Sequence, residues 1–171
     1  QHDALPGCYA SDVIGRIATF EGNVQTTRPE NIGSSRSTGF EFNTKYSPKK
    51  WLTINGDFNY NYFQREGVFE ATSFDFTAGQ WSTKWNAKFK LPAKIDFELT
   101  EHYQSSVQTV QGENEDNLFA DMGLRKKVMN GKGVLNFSIR DIFASRIRAS
   151  ETIQSTFYLY SRRQRGRFIT F

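Results

Sequence analysis

Few residues in this sequence have the type and the spacing that chemistry requires. The single cysteine, Cys8, lacks a second thiol with which to form an internal disulfide or a thiolate metal site. The two histidines, His2 and His102, are too far apart to form a recognisable zinc or haem motif. The sequence therefore offers no catalytic residues, no cofactor-binding residues and no metal ligands. It predicts a protein that is not an enzyme.

Charged residues are spread along the chain, apart from one basic cluster and one acidic cluster. Lys and Arg number 22 against 18 Asp and Glu, which gives a formal net charge of +4 at pH 7. A nucleic-acid-binding domain would present a basic face, but here the bases are spread along the chain, so we expect no nucleic-acid partner. The one dense basic run comprises Arg162, Arg163, Arg165 and Arg167. Three acids close together could attract a cation, although a solvated loop explains them more simply. They are Glu113, Glu115 and Asp116.

Aromatic residues are abundant in an otherwise polar chain. Sixteen Phe, seven Tyr and three Trp make up 15% of the sequence, while only 37% of its residues are hydrophobic. No uninterrupted apolar run approaches the roughly 18 to 20 residues that a transmembrane helix needs, and the first residues lack the pattern of a signal peptide. We therefore expect no membrane-spanning helix, and the rings must be placed by a pattern in the sequence.

That pattern is an alternation of apolar and polar residues. Between positions 52 and 62 the apolar or small residues occupy every second position: Leu52, Ile54, Gly56, Phe58, Tyr60 and Tyr62. The positions between them are all polar: Thr53, Asn55, Asp57, Asn59 and Asn61. The same alternation recurs in 40–46, 80–91, 95–100 and 135–140. Because successive side chains of a strand point to opposite faces, each segment is predicted to be a strand with one apolar-aromatic face and one polar face.

The alternation predicts an all-β chain of about eight antiparallel meander strands. The predicted strands are 13–22, 36–47, 51–63, 79–91, 94–104, 118–129, 133–143 and 162–171, and residues 1–12 are predicted to be irregular. A membrane-crossing strand needs about 9 to 11 residues, whereas strands of soluble proteins have about five or six. Aromatic rings also cluster near the strand ends, as in the girdles of outer-membrane barrels. These features favour a transmembrane β-barrel segment over 13–171, with a soluble lipocalin-like barrel as an alternative.

The connections alternate between long and short. The long ones are 23–35, 64–78, 105–117 and 144–161, and the short ones are 48–50, 92–93 and 130–132. Outer-membrane barrels have short periplasmic turns and longer extracellular loops. The turn residues agree, since Asn130-Gly131 tolerates the positive φ angles of tight hairpins. Within the last long connection, 147–160 is itself strand-like, which predicts strand extending above the membrane.

The chain ends with a pattern that resembles a barrel-assembly signal. Outer-membrane barrels commonly end with a polar residue, a glycine two positions later, then an apolar residue and a terminal aromatic on one strand face. The matching residues are Gln164, Gly166, Ile169 and Phe171. They are the only candidate site that the sequence indicates, and they imply the barrel-assembly machinery and outer-membrane lipid as partners.

Several segments resemble one family, the TonB-dependent outer-membrane receptors of Bacteroidetes-type bacteria. The segments are TTRPENIG (26–33), STGFE (37–41), VLNFSIRDIF (134–143) and the closing stretch 162–171. The resemblance implies a 22-stranded barrel with a plug domain, which takes up siderophores, cobalamin or glycans and is driven by an inner-membrane energising complex. This chain would then be a C-terminal fragment of the larger barrel. The alternative is a complete small eight-stranded barrel with a structural or adhesion role.

In either case the polar strand faces would point into the barrel. Under the receptor hypothesis, six residues would line the wall around the plug, although simple solvation accounts for each one taken singly. They are Asn55, Asp57, Asn59, Lys84, Asn86 and Lys88. The connections 64–78 and 105–117 would contribute to ligand capture at the cell surface.

Overall fold

The computed structural model describes residues 7–22, 24–69, 72–153 and 157–171. Within them the chain forms fourteen antiparallel strands and one short 3-10 turn, Met129–Gly131. The strands are β1 (Gly7–Ala10), β2 (Ile14–Glu21), β3 (Val24–Asn31), β4 (Ser34–Lys49), β5 (Leu52–Phe69), β6 (Thr72–Leu91), β7 (Ile95–Gln104), β8 (Val107–Thr109), β9 (Gly112–Asn114), β10 (Asn117–Val128), β11 (Gly133–Arg140), β12 (Ile147–Ile153), β13 (Tyr158–Gln164) and β14 (Phe168–Thr170). No helix in these ranges has the length and hydropathy to cross a membrane.

Eight of the strands form one sheet, which we call the wall. Its order is β1-β4-β5-β6-β7-β10-β11-β14. Each strand of the wall therefore pairs with the wall strand that comes next along the chain, as in a meander. A four-stranded sheet of order β13-β12-β9-β8, which we call the loop sheet, and the β2–β3 hairpin complete the described structure. The prediction of about eight antiparallel meander strands is confirmed.

One face of the wall carries the predicted aromatic side chains in register. Phe40 stacks on Phe58 with ring centroids 5.6 Å apart. Phe58 in turn lies 6.1 Å from Trp81, and Trp81 lies 4.5 Å from Tyr103. Because cross-strand neighbours on one face stabilise a sheet by about 0.2 to 1 kcal/mol per pair, this row of rings holds β4 to β7 in register.

The apolar face of the wall is exposed. Phe42 is 61% exposed, Trp51 48% and Trp85 47%, whereas few apolar residues in the described ranges are buried. Soluble monomers rarely expose contiguous apolar patches this extensive. A lipid bilayer would cover such a face, since membrane barrels direct an apolar band outward.

The two ends of the wall differ as the sequence predicts. At one end β4 and β5 are joined by a two-residue turn, and β6 and β7 by a three-residue turn in which Ala93 and Lys94 have φ angles of 62° and 58°. The third short connection contains Asn130, whose φ is 54°. Positive φ is a conformation that Asn adopts more readily than most residues, so the turn chemistry there matches the backbone.

At the other end, the predicted long connections are mostly strand. Segment 64–78 continues the β5–β6 hairpin well beyond the length a membrane crossing needs, with Glu66 opposite Asp75 and Phe69 opposite Thr72. Segment 105–117 contains β8 and β9, and 144–161 contains β12 and most of β13. The strand-like character predicted for 147–160 is confirmed at 147–153 and 158–160, and residues 154–156 lie outside the described residues. The prediction of a loop at 64–78 is wrong, because cross-strand pairing extends as far as Phe69 and Thr72.

The first strand of the wall is not the predicted one. Residues 1–12 are predicted to be irregular, yet Gly7–Ala10 forms β1 and pairs with β4, with Cys8 opposite Ser37. The predicted strand 13–22 instead forms β2, which pairs with β3 outside the wall. Four residues are too few for a period-two signal, so β1 is set by its pairing with β4. Residues 1–6 lie outside the described residues.

Candidate functional site

The predicted lumen-facing residues share the polar face of the wall, and three of them belong to a network of hydrogen bonds and one ion pair. Asn86 Nδ2 donates to Glu98 Oε1 at 2.6 Å and to Thr100 Oγ1 at 2.7 Å. Asn55 Nδ2 donates to Asn86 Oδ1 at 3.4 Å, and Lys88 Nζ lies 3.8 Å from Glu98 Oε1. These groups bind one another, so they fix the polar face of β5 to β7 rather than presenting free donors to a ligand.

The other three predicted residues line a cavity. It has a volume of about 660 Å³ and lies between the polar face of the wall and the loop sheet. The wall contributes Asp57, Asn59, Lys84 and His102, among others. Because Asp57 is the register partner of Lys84, and Lys84 that of His102, these side chains lie side by side across β5, β6 and β7. We call this space the mouth cavity.

The loop sheet contributes arginines to the mouth cavity. Arg148 in β12 lies directly opposite Arg163 in β13, and Ser150 lies opposite Ser161. All four residues line the cavity, as does Arg146. Side chains two positions apart in a strand share a face, so one face of the β12–β13 hairpin directs its guanidinium groups and hydroxyls into the cavity.

The opposite face of this hairpin carries acids and tyrosines. Tyr158 Oη donates to Glu151 Oε1 at 3.0 Å. This hydrogen bond to a carboxylate favours the protonated phenol and raises the pKa of Tyr158 above 10.0. Arg162, which lies opposite Ala149, is on this face as well. The hairpin therefore separates the cavity-lining arginines from its own acid, Glu151.

A stack of rings and a guanidinium forms part of the cavity floor. The His102 and Phe119 rings are nearly parallel, at 14°, with centroids 4.7 Å apart. The Arg146 guanidinium lies 4.4 Å from the centroid of the Phe119 ring. Cation–π contacts of this kind contribute about 0.5 to 2 kcal/mol, so Arg146 is held in place by the wall strand β10.

The backbone of Arg146 is also held by a turn that begins at the buried residue Asp141. Asp141 is 2% exposed, and its carboxylate accepts hydrogen bonds from Ser145 N and Arg146 N, both at 2.9 Å. Asp141 N donates to Asp121 Oδ1 at 2.8 Å. Arg167 Nη2 donates to Ile142 O at 2.7 Å. The segment Asp141–Phe143, which the sequence singled out by resemblance, thus joins the wall to the loop sheet.

The β2–β3 hairpin reaches the loop sheet through one glutamine. Gln111 is buried, and its side-chain amide accepts from Ala18 N at 3.1 Å and donates to Ala18 O at 3.2 Å. The contact bridges 93 positions in sequence. In the same region of the chain, Ile17 in β2 and Ile32 after β3 are also buried. The Gln111 amide thus makes the two hydrogen bonds to Ala18 that a neighbouring strand's backbone would make. These bonds anchor the β2–β3 hairpin to the segment between β8 and β9.

The predicted assembly signal is distributed over several elements. Gln164 ends β13 in the loop sheet, Gly166 lies between strands, and Ile169 belongs to β14 in the wall. The Phe171 ring lies 5.2 Å from that of Phe137. The prediction that all four residues lie on one strand face is wrong, since the chain leaves the loop sheet after Gln164 and re-enters the wall at Phe168. Their part in assembly stays a prediction.

The acidic loop residues lie in and directly after β9. Glu113, Glu115 and Asp116 are exposed. Across the described ranges, no group of three or more His, Cys, Asp or Glu side chains is arranged to hold a metal ion.

Comparison with protein families identifies the architecture. The model of the outer membrane protein beta-barrel family matches residues 9–171, nearly the whole chain. The chain belongs to this family. No curated protein and no solved structure gives a significant match. Family membership places the chain in the outer membrane, and it agrees with an antiparallel wall that has one apolar-aromatic face and one polar face.

Proposed function

We propose that this chain forms the C-terminal barrel wall of a TonB-dependent outer-membrane receptor that takes up a nutrient. Its partners would be outer-membrane lipid, the barrel-assembly machinery, a plug domain and an inner-membrane energising complex. The observation that carries the proposal is the open wall. Within the described residues β1 and β14 are the two edges of the sheet and are not paired with each other.

An open edge in a bilayer requires further strands. Unpaired backbone amides cost several kcal/mol each in hydrocarbon, where no water can bond them. More strands of a larger barrel would satisfy both edges and would leave room for a plug. The polar face and the mouth cavity, roofed by the loop sheet, also suit capture of a ligand at the cell surface.

The second candidate is a complete eight-stranded barrel with a structural or adhesion role. It would require β1 to pair with β14 over a membrane-crossing length of about 9 to 11 residues. No pairing between β1 and β14 is found within the described residues, which is why the larger barrel is the first candidate.

Uptake by whole cells tests the proposal. Cells that produce the intact protein, and cells from which its gene is deleted, are given a labelled ferric siderophore, labelled cobalamin or a labelled oligosaccharide, with and without a protonophore. We expect accumulation of one probe that requires the gene and is abolished by the protonophore. If the gene supports accumulation of none of the three, or if accumulation survives loss of the proton gradient, the receptor proposal fails. Gene-dependent adhesion to surfaces without uptake would favour the small barrel.

A further inference from the structure

Cationic side chains outnumber anionic ones around the mouth cavity. Four cationic residues, Lys84, Arg146, Arg148 and Arg163, line it against two acids, Asp57 and Glu115. The ion pairs found within the described residues involve none of the three arginines. The Nε atom of Arg146 is moreover buried with no hydrogen-bond partner.

The pairing of Arg148 with Arg163 is electrostatically unfavourable by itself. Like charges directly opposite each other on antiparallel strands destabilise the pair, and here no carboxylate of the described chain bridges them. An oxyanion between the two guanidinium groups would reverse the sign of this interaction, since each guanidinium can form two parallel hydrogen bonds to a carboxylate or a phosphate. The geometry thus favours an anionic ligand.

The other polar groups that line the mouth cavity indicate which groups the ligand has besides its negative charge. Amides and hydroxyls surround the arginines: Asn59, Gln80, Ser82, Gln104, Asn114 and Ser161. Such groups bind hydroxyl-rich molecules through several oriented hydrogen bonds. Because the cavity is bounded by the polar face of the wall, its ligand comes from solution rather than from the lipid that covers the apolar face.

We propose that the mouth cavity binds an anionic sugar, with the carboxylate or phosphate group held between Arg148 and Arg163. Arg146, fixed against Phe119, supplies a third positive charge. Amides and hydroxyls of the wall bind the sugar hydroxyls. This inference rests on the proposed receptor function and names the substrate class of its binding site.

Equilibrium binding to outer membranes that contain the intact protein tests this inference. Three labelled probes are compared in phosphate-free buffer: a trimer of galacturonic acid, glucose 6-phosphate, and a neutral galactose trimer. We expect at least one acidic probe to bind in a protein-dependent way, and the neutral trimer to bind at least about tenfold more weakly. Affinity for the acidic probe should fall as NaCl is raised, because added ions screen charge–charge attraction.

The arginines are tested by substitution with a matched control. The single variants Arg148→Gln and Arg163→Gln should each weaken binding by about tenfold to a hundredfold, the fold-change that corresponds to losing a hydrogen bond to a charged group. Arg162→Gln removes the same charge from the opposite face of β13 and should change affinity by less than about twofold. Arg148→Lys with Arg163→Lys keeps the charge but loses the paired bonds, so its affinity should be intermediate.

Several results would overturn the inference. These are the absence of protein-dependent binding for both acidic probes, equal affinity for the neutral trimer, or an Arg162→Gln defect as large as that of Arg148→Gln. Heat-modifiable gel mobility shows whether each variant is folded. If a variant does not fold, the salt dependence of binding by the native protein still tests the inference. If the protein binds neither acidic probe but supports energised uptake of another probe, this inference fails and the receptor function stands. If it binds an acidic probe but supports no energised uptake, the receptor function fails and the anionic-sugar site stands.

Discussion

The turn at the buried residue Asp141 allows a quantitative prediction. Substitution Asp141→Ala removes a carboxylate that accepts from Ser145 N and Arg146 N, both at 2.9 Å. The residue is 2% exposed, so water cannot easily replace these bonds. Its φ is 57°, a conformation that Ala adopts less readily than Asp.

The size of the effect follows from these two terms. A hydrogen bond to a charged group contributes about 1.5 to 3 kcal/mol, and two are lost. Two such bonds contribute about 3 to 6 kcal/mol, and both donors are only partly buried. We therefore expect the lower part of that range, a loss of about 3 to 5 kcal/mol of unfolding free energy with backbone strain included. Asp141→Asn keeps one acceptor and tolerates positive φ, so it should lose about half as much.

The assay is urea unfolding of the intact protein in detergent micelles, followed by tryptophan fluorescence and by heat-modifiable gel mobility. Asp141→Gly separates the two terms, because glycine adopts positive φ without strain but lacks the carboxylate. We expect Asp141→Gly to remain at least about 1.5 kcal/mol less stable than the native protein. If it is as stable as the native protein, the carboxylate bonds do not support the turn and the argument is refuted.

Three further predictions concern the wall, the β2–β3 hairpin and pH. Phe58→Lys places a charge on the apolar face and should destabilise the protein in membranes by about 2 to 4 kcal/mol. The control Asn59→Lys, on the polar face opposite Glu41 and Ser82, should change the urea midpoint little, and equal effects of the two substitutions would refute the assignment of faces. Gln111→Ala should release the β2–β3 hairpin, seen as faster proteolysis within it, and unchanged cleavage would show that other contacts suffice. The raised pKa of Tyr158 implies a contribution to stability that is complete below the unfolded pKa of about 10 and lost as pH rises through the higher folded pKa. Ultraviolet titration should show this phenol ionising at lower pH in Glu151→Gln, and an unchanged titration would contradict it.

The fold was largely predictable because its dominant signal is local. Alternation from Leu52 to Tyr62 assigns each side chain to a face without knowledge of any partner strand, and the register confirms those faces. Turn residues such as Asn130 and Gly131 adopt the positive φ angles that their types favour. The predictions that failed concern β1, segment 64–78 and the residues after Gln164, where strand structure depends on pairing with a partner strand.

The site was less predictable because it depends on residues far apart in sequence. The basic run at 162–167 was visible, but nothing local shows that Arg163 faces Arg148 while Arg162 points the other way. Likewise, Gln111 gives no sequence signal of its contact with Ala18, 93 positions away.

The sequence by itself determined that the chain forms long two-faced strands joined by short turns at one end, since period-two patterning and turn chemistry act over a few neighbouring residues. Tertiary structure alone decided which strands enter the wall, how the loop sheet roofs its polar face, and which arginines meet in the mouth cavity. Those outcomes depend on backbone hydrogen bonds between distant segments, and such bonds are nearly independent of side-chain identity. A sequence pattern therefore specifies which face a side chain takes, whereas the partner strand specifies what it faces.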